Sequence, residues 1–411
     1  MVMKFHPDRD RLLAEAHARP STPLDVPVFA TRIATLGVQD GGAADRAHLA
    51  ELCRMSLQPE PHDGARWWLF DAGRWSLRWE RHTEFSSWTI FGRQQADGPP
   101  RGWIANLPGD ILVSTTADLR RDEADGPTSA PPLGTSMIGS VVLDGAATLY
   151  TDFKPDGGGI TRFLVLVKSI DRVLAGRLAL ILLEIETYRL MALLAFPLAG
   201  SAGAQVGAFE RETGQLAARL AEEVGVDADR ALLGRMIALS GEAEALNTQT
   251  SFRFRAGAAY YDIVQDRIAT LREVHIPGMQ TIGEFMDRRL APAMRTCDAV
   301  AERERSVIAR IARTGQMLRT RIEIEAEATS AALLKSMDNR ALTQIRLQRA
   351  VEGLSVAAIS YYAISLLNYP IKALEHAYPR VDSALLTGLL APVVVVGVWL
   401  ALRQLRRQGD D

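Results

Sequence analysis

Three side chains in the segment Trp79-Glu80-Arg81-His82-Thr83-Glu84-Phe85 have types and spacing that suit chemistry. Side chains alternate with period two along a strand, so Glu80, His82 and Glu84 share one face if the strand runs unbroken through His82. One imidazole and two carboxylates would hold a divalent cation. His6 and His17 are further histidines that the fold would have to bring close. The competing reading is a solvated or hydrogen-bonded strand edge. In Glu15-Ala16-His17-Ala18-Arg19-Pro20, His17 and Arg19 fall at a helix end, where cations complement the dipole. Otherwise the chain lacks catalytic signatures: it has no Gly-x-x-x-x-Gly-Lys-Ser/Thr, no His-Glu-x-x-His and no Cys-x-x-Cys. The expectation is therefore no enzyme, no cofactor beyond a possible divalent cation, and no catalytic residue.

The positioning elements are best marked at the far end of the chain. Two uncharged apolar runs, Leu354–Ile371 and Ala384–Leu402, hold roughly 18–19 residues each, close to the length a bilayer-crossing helix needs. Pro392 within the second run is tolerated in a membrane helix. The first run contains Ser355, Ser360, Tyr361, Tyr362, Ser365 and Asn368, which suits a helix packed against neighbours rather than one bathed in lipid. Arg340, Arg346 and Arg349 precede the pair and Arg403, Arg406 and Arg407 follow it. By the positive-inside rule both flanks stay cytoplasmic and the short loop faces outward. The expectation is a multi-pass protein of a bacterial inner membrane with both termini cytoplasmic and the lipid bilayer as its partner.

The rest of the 411 residues reads as soluble protein. Lys and Arg number 47 against 49 Asp and Glu, a net charge of −2, so no overall field favours nucleic acid. Two distant cysteines, Cys53 and Cys297, imply no disulfide framework and a reducing compartment. The fold class expected is an α+β cytoplasmic domain followed by a mainly helical region with a long stalk helix and a C-terminal two-helix transmembrane hairpin. Boundaries are placed at 1–168, 169–291, 292–350 and 351–411.

In the first domain Trp75, Leu77 and Trp79 alternate with Arg74, Ser76 and Arg78, which predicts a half-buried antiparallel strand. Further strands are expected at Val26–Leu36, Arg66–Asp71, Glu84–Phe91, Ile111–Ala117, Ser140–Leu143, Ala147–Phe153 and Ile160–Lys168. Helices are expected at Asp8–His17 and Ala43–Ser56, and an exposed loop between Arg120 and Pro132. Gly157-Gly158-Gly159 suits a hairpin turn better than a phosphate cradle. The tryptophans of this domain lie at strand positions that predict core packing rather than base stacking. From Ile170 to Phe196 a largely apolar helix carries Arg177, Glu184, Glu186 and Arg189, too many charges for a membrane span. A break is expected at Pro197–Gly203, with helices near Phe209–Glu223, Ala228–Ala245 and Thr248–Val274 and punctuation at Pro277-Gly278.

Beyond Pro292 one helix of roughly 58 residues, about 85 Å at 1.5 Å per residue, would lead into the first span. A stripe at three- and four-residue spacing runs Ile308, Ile311, Gly315, Leu318 and Ile322, then becomes Glu325, Thr329, Ala332, Ser336, Asn339 and Thr343. Its apolar half suits a coiled-coil seam. A second stripe, from Ile324 through Leu334 to Ile345, stays mostly apolar. Either the polar half faces a hydrated axis between copies of the chain, or it is a solvated helix face.

The order of these elements resembles the CorA-type divalent-cation channels, which form rings around an axis lined by the stalk and first span. That resemblance implies a homo-oligomer with Glu325, Thr329, Ser336, Asn339, Thr343 and Asn368 along the path. That family's Gly-Met-Asn motif is replaced here by Leu366-Leu367-Asn368-Tyr369-Pro370, so only Asn368 corresponds. His6-Pro7, Glu15–Pro20, Trp79–Phe85, Glu184–Leu194 and Arg288–Met294 also resemble a bacterial family of predicted membrane-anchored proteins of unknown function. Three readings follow: a CorA-like homo-oligomeric ion channel or transporter, a membrane-anchored scaffold or regulator, and an anchored metal enzyme using Glu80, His82 and Glu84.

Overall fold

The computed structural model describes residues 5–9, 22–37, 40–122, 137–222, 225–377 and 382–407. All but the first two residues of the helix expected at Asp8–His17, with His17 and Arg19, and most of the loop expected after Arg120 lie outside these; Arg120 and Arg121 themselves end a strand.

Nine strands form one sheet: β1 (Val28–Leu36), β2 (Trp67–Asp71), β3 (Trp75–Arg81), β4 (Phe85–Gly92), β5 (Asp110–Arg121), β6 (Ile138–Val142), β7 (Ala147–Pro155), β8 (Thr161–Val167) and β9 (Val274–His275). Their order is β2-β3-β4-β1-β5-β8-β7-β6-β9, and every pairing is antiparallel except β5 with β8. Tight turns explain the meanders. At the β7–β8 hairpin Asp156 accepts from the backbone N–H groups of Gly158 and Ile160, so the glycine run is a hairpin turn.

Helix α1 (Ala43–Met55) and the short α2 (Arg101–Ala105) cover one face of β2, β3 and β4. Ile33, Leu49, Leu52, Phe70, Leu77, Trp79, Trp88 and Trp103 form the core there. Trp79 and Trp88 are fully buried, as the alternation predicts, whereas Trp67 keeps 38% exposure. The opposite face departs from the half-buried expectation: Arg78 and Glu80 are buried too, alongside Arg32, Ser87 and Thr89. Charged residues survive there because they satisfy one another.

His48 on α1 stacks on Trp103 at 4.2 Å, its Nε2 lies 3.0 Å from the Trp103 carbonyl, and the Trp103 indole donates to the His48 carbonyl. Burial pushes this imidazole's pKa down, and the Trp103 carbonyl with the Glu51 and Asp45 charges only partly counters that. Unfolding raises it again. Stability from His48 is therefore intact above pH ~6.5 and falls as pH drops toward the lower folded value. A series of melts from pH 7.5 to 5 should lose less stability in His48→Gln than in the wild type; equal slopes would exclude His48 as the source.

A second core lies where α3 (Arg172–Leu193) crosses β5 and β8, with α5 (Val226–Leu271) and α6 (Ile282–Arg289) beside it. The Asp171 side chain caps α3 by accepting from Leu174 N–H, and Thr281 with Glu284 forms a capping box on α6. The break expected at Pro197 falls at Leu194 instead, between α3 and the next helix. Helix α4 (Ala195–Glu222) starts two residues before Pro197, which therefore sits in a first turn where no amide partner is lost. The two helices expected at 228–245 and 248–274 are one, α5. Helix α7 (Ala291–Ala377) continues through Pro370, and α8 (Ser383–Arg407) follows.

The chain is thus an α+β sheet domain, then long helices, then a C-terminal candidate transmembrane helix. The stretches Ile282–Ala373 and Ala384–Leu402 contain windows long and apolar enough to cross a bilayer, with mean hydropathy 1.5 and 2.4. Two compact units divide the chain, the change falling between Gly315 and Gln316 on α7; Gly225–Arg230 belong with the second.

Candidate functional site

Strand β3 ends at Arg81 and β4 begins at Phe85, so the strand does not run through His82. His82 N–H donates to the Phe85 carbonyl at 2.9 Å, and Thr83-Glu84 forms the two-residue tip. The alternation that would align Glu80, His82 and Glu84 stops at this turn. Glu80 lies on the buried sheet face, 2.9 Å from Arg78 Nη2 and 3.9 Å from Arg32 Nη2. Burial pushes its carboxyl up, but the Arg32 and Arg78 guanidiniums outweigh that and hold it below the usual range. Glu84 accepts from Arg253 Nη2 of α5 at 2.5 Å. The His82 ring stacks on Phe85 at 4.1 Å, with Nε2 3.2 Å from Ser87 Oγ. Each carboxylate therefore serves a guanidinium. Among the described residues no group of three His, Cys, Asp or Glu has a metal-holding arrangement. His6 is exposed beside Asp8.

The turn instead forms one wall of a cleft of about 1190 Å³, lined by Arg66, Arg81, His82, Glu84, Phe252 and Arg253 together with Leu36, Leu194 and three glycines. Arg81 donates to Ser86 Oγ at 3.1 Å and lies 3.9 Å from Asp45. Asp45 also takes hydrogen bonds from the Ser86 hydroxyl and the Trp79 indole. Burial pushes the Asp45 carboxyl up, with those hydrogen bonds and Arg81 pulling the other way. Tyr260, stacked on Tyr188 at 5.6 Å, stands beside Glu84; burial and that carboxylate push its phenol far above the usual value. Two polar atoms in this wall, Glu84 Oε1 and Arg253 Nη1, are buried without a hydrogen-bond partner.

Several residues singled out by sequence hold the framework together. Glu184 pairs with Arg267 of α5 at 2.5 Å, and Glu186 accepts from Thr161 at 3.0 Å and from Arg189. Those charges clamp α3 between the sheet and α5, which is why so apolar a helix carries them.

The six residues expected along an axis all lie on α7. Glu325 is half-buried, 3.9 Å from Arg321. The Thr329 and Thr343 hydroxyls donate to the carbonyls of Glu325 and Asn339 on their own helix. Thr329, Ser336, Asn339 and Thr343 are exposed. Asn368 Oδ1 accepts from Thr387 Oγ1 of α8 at 3.4 Å, so it faces the adjoining helix of the same chain.

Sequence reasoning missed Arg66, Phe252 and Arg253. Arg253 meets Glu84 across 169 residues, and nothing in the local helical pattern marks it.

A family model described as "Protein of unknown function (DUF3422)" matches residues 4–409 of the chain. No curated protein matches it.

Proposed function

The chain belongs to this family of unknown function, and on that premise we propose that it is a membrane-anchored binding protein, a scaffold or regulator, whose sheet domain takes a ligand in the cleft at the β3–β4 turn. The observation that carries this reading is the cleft of about 1190 Å³ itself, lined by the charged side chains of Arg66, Arg81, Glu84 and Arg253 beside the exposed ring of Phe252. The two apolar windows support anchoring, and the basic flanks on either side of them support the reading of a multi-pass protein of a bacterial inner membrane with both termini cytoplasmic.

Thr83 is exposed at the tip of the turn, so Thr83→Trp should fill the cleft mouth without disturbing the core. Native mass spectrometry of the full chain, extracted from membranes in nanodiscs, should show a bound small molecule in the wild type and none in Thr83→Trp. No bound species in either, or the same one in both, overturns the reading.

The CorA-like channel stands second, favoured by the exposed Thr329, Ser336, Asn339 and Thr343 on one helix face and by exposed Tyr361, Tyr362 and Tyr369 in the first span. A tyrosine hydroxyl near mid-bilayer needs a polar partner, which a second copy of the chain supplies. Two spans cannot enclose a pore alone, so this reading requires a ring. Detergent-corrected mass should then give a closed oligomer, and Asn368→Ala should alter cation flux in liposomes; a monomer without flux removes it.

A further inference from the structure

The cleft has an uneven charge balance. Its described ionisable side chains are Arg66, Arg81, His82, Glu84 and Arg253, with Asp45 behind Arg81. Glu84 pairs with the Arg253 guanidinium, and Asp45 lies 3.9 Å from that of Arg81. Burial shifts Asp45 toward its neutral form, although Ser86 and Arg81 oppose this. Arg66 is exposed and has no carboxylate within ion-pair distance among the described residues. The positive charge therefore exceeds the negative.

Arg253 is poised in a particular way. Its Nη2 holds Glu84, while its Nη1 is buried and lacks an acceptor. A guanidinium presents its donors as a rigid planar fork matched to carboxylate and phosphate oxygens. Three guanidiniums around one space exceed what a carboxylate with two oxygens can use, and they suit a tetrahedral phosphate. Gly37, Gly41 and Gly64 also line the cleft, all at positive φ with open space where a Cβ would stand. Those positions leave room for a bulky anion. Phe252, 53% exposed, lies with its ring 5.6 Å from the Arg253 guanidinium and offers a flat apolar surface next to the charged end.

The geometry points to a binding site for a phosphate-bearing organic anion, with Arg66, Arg81 and Arg253 on the phosphate oxygens and Phe252 against the organic part; it rests on the binding reading above. The same chemistry has two sources, a soluble phosphate ester and the headgroup of an anionic phospholipid.

The test uses the full chain in two kinds of nanodisc, phosphatidylcholine alone and phosphatidylcholine with phosphatidylglycerol, titrated with pyrophosphate in a calorimeter. Saturable binding in phosphatidylcholine discs is expected, weakened at least tenfold by Arg66→Glu with an unchanged melt, since Arg66 is exposed. Equal affinity in both discs identifies a soluble ligand. Weaker apparent affinity in the phosphatidylglycerol discs identifies the lipid headgroup as competitor. No saturable binding in either disc, or binding indifferent to both Arg66→Glu and Arg253→Gln, overturns the assignment. If pyrophosphate fails while Thr83→Trp still removes a bound molecule, the cleft binds something other than a phosphate. If both fail, the binding reading falls with it.

Discussion

Replacing Glu80 with alanine is expected to destabilise the sheet domain by about 3–5 kcal/mol, the range for removing one partner of a buried ion pair. Glu80 and Arg32 are 7% and 3% exposed at the side chain, and Arg78 is 9% exposed. Without the carboxylate, two guanidiniums remain in a low-dielectric layer with no anion between them. Guanidinium titration followed by tryptophan emission reports on this domain, because Trp79 and Trp88 are buried beside it. A loss below about 1 kcal/mol, the range of a surface pair, would show that water reaches the triad. Exchanging all three residues for apolar ones of similar size should cost far less than Glu80→Ala alone, since it leaves no charge unpaired. The wild-type midpoint should also be indifferent to EDTA and to added divalent cation, because the carboxylate serves arginines.

The Glu80 network shows where sequence stops being informative. Strand period two correctly puts Trp75, Leu77 and Trp79 toward a core. The same period assigns Arg78 and Glu80 to solvent, and both are buried. The partner that makes their burial tolerable is Arg32 on β1, which neighbours β3 only through β4. Alternation reports which side a residue faces. It does not report whether that side is covered or whether a counter-charge waits there. The His82 turn fails for a related reason: Thr83-Glu84 lacks the glycine or asparagine that usually marks a two-residue hairpin tip, so the strand reads on into Glu84.

Long helices and apolar windows are legible because their signals are local and repeated over many residues. The cleft is not. Arg66 leads into β2, His82 and Glu84 form the β3–β4 turn, and Phe252 and Arg253 lie mid-helix on α5. With Leu36, Gly37, Gly41 and Leu194 added, five stretches of chain meet there with no shared motif. The segment Trp79–Phe85 attracts attention for its histidine and carboxylates, yet its contribution to the cleft is one turn and one arginine.

Gly176→Ala is expected to destabilise the same domain by about 3 kcal/mol, the upper end of ordinary overpacking costs. A Cβ on Gly176 would stand 1.9 Å from the Thr22 carbonyl oxygen and 3.0 Å from its carbon. The obstacle is backbone, so no side-chain rotation relieves it. The segment at Thr22 cannot swing away freely, because Leu24 N–H donates to the Arg172 carbonyl at 2.8 Å and Asp25 pairs with Arg172 at 2.7 Å. Those contacts hold the entry to β1 against the first turns of α3, and Arg32 of the buried triad follows on that strand. Sequence gives no warning, since an isolated glycine in a helical run normally costs stability and its replacement by alanine normally helps. Gly214 on α4 provides the contrast: nothing lies within 4 Å of its would-be Cβ. Gly214→Ala should stabilise by about 0.5–1 kcal/mol. The two variants make the same chemical change in helices and should shift the midpoint in opposite directions. A gain at Gly176 would mean that the segment at Thr22 does not rest on α3.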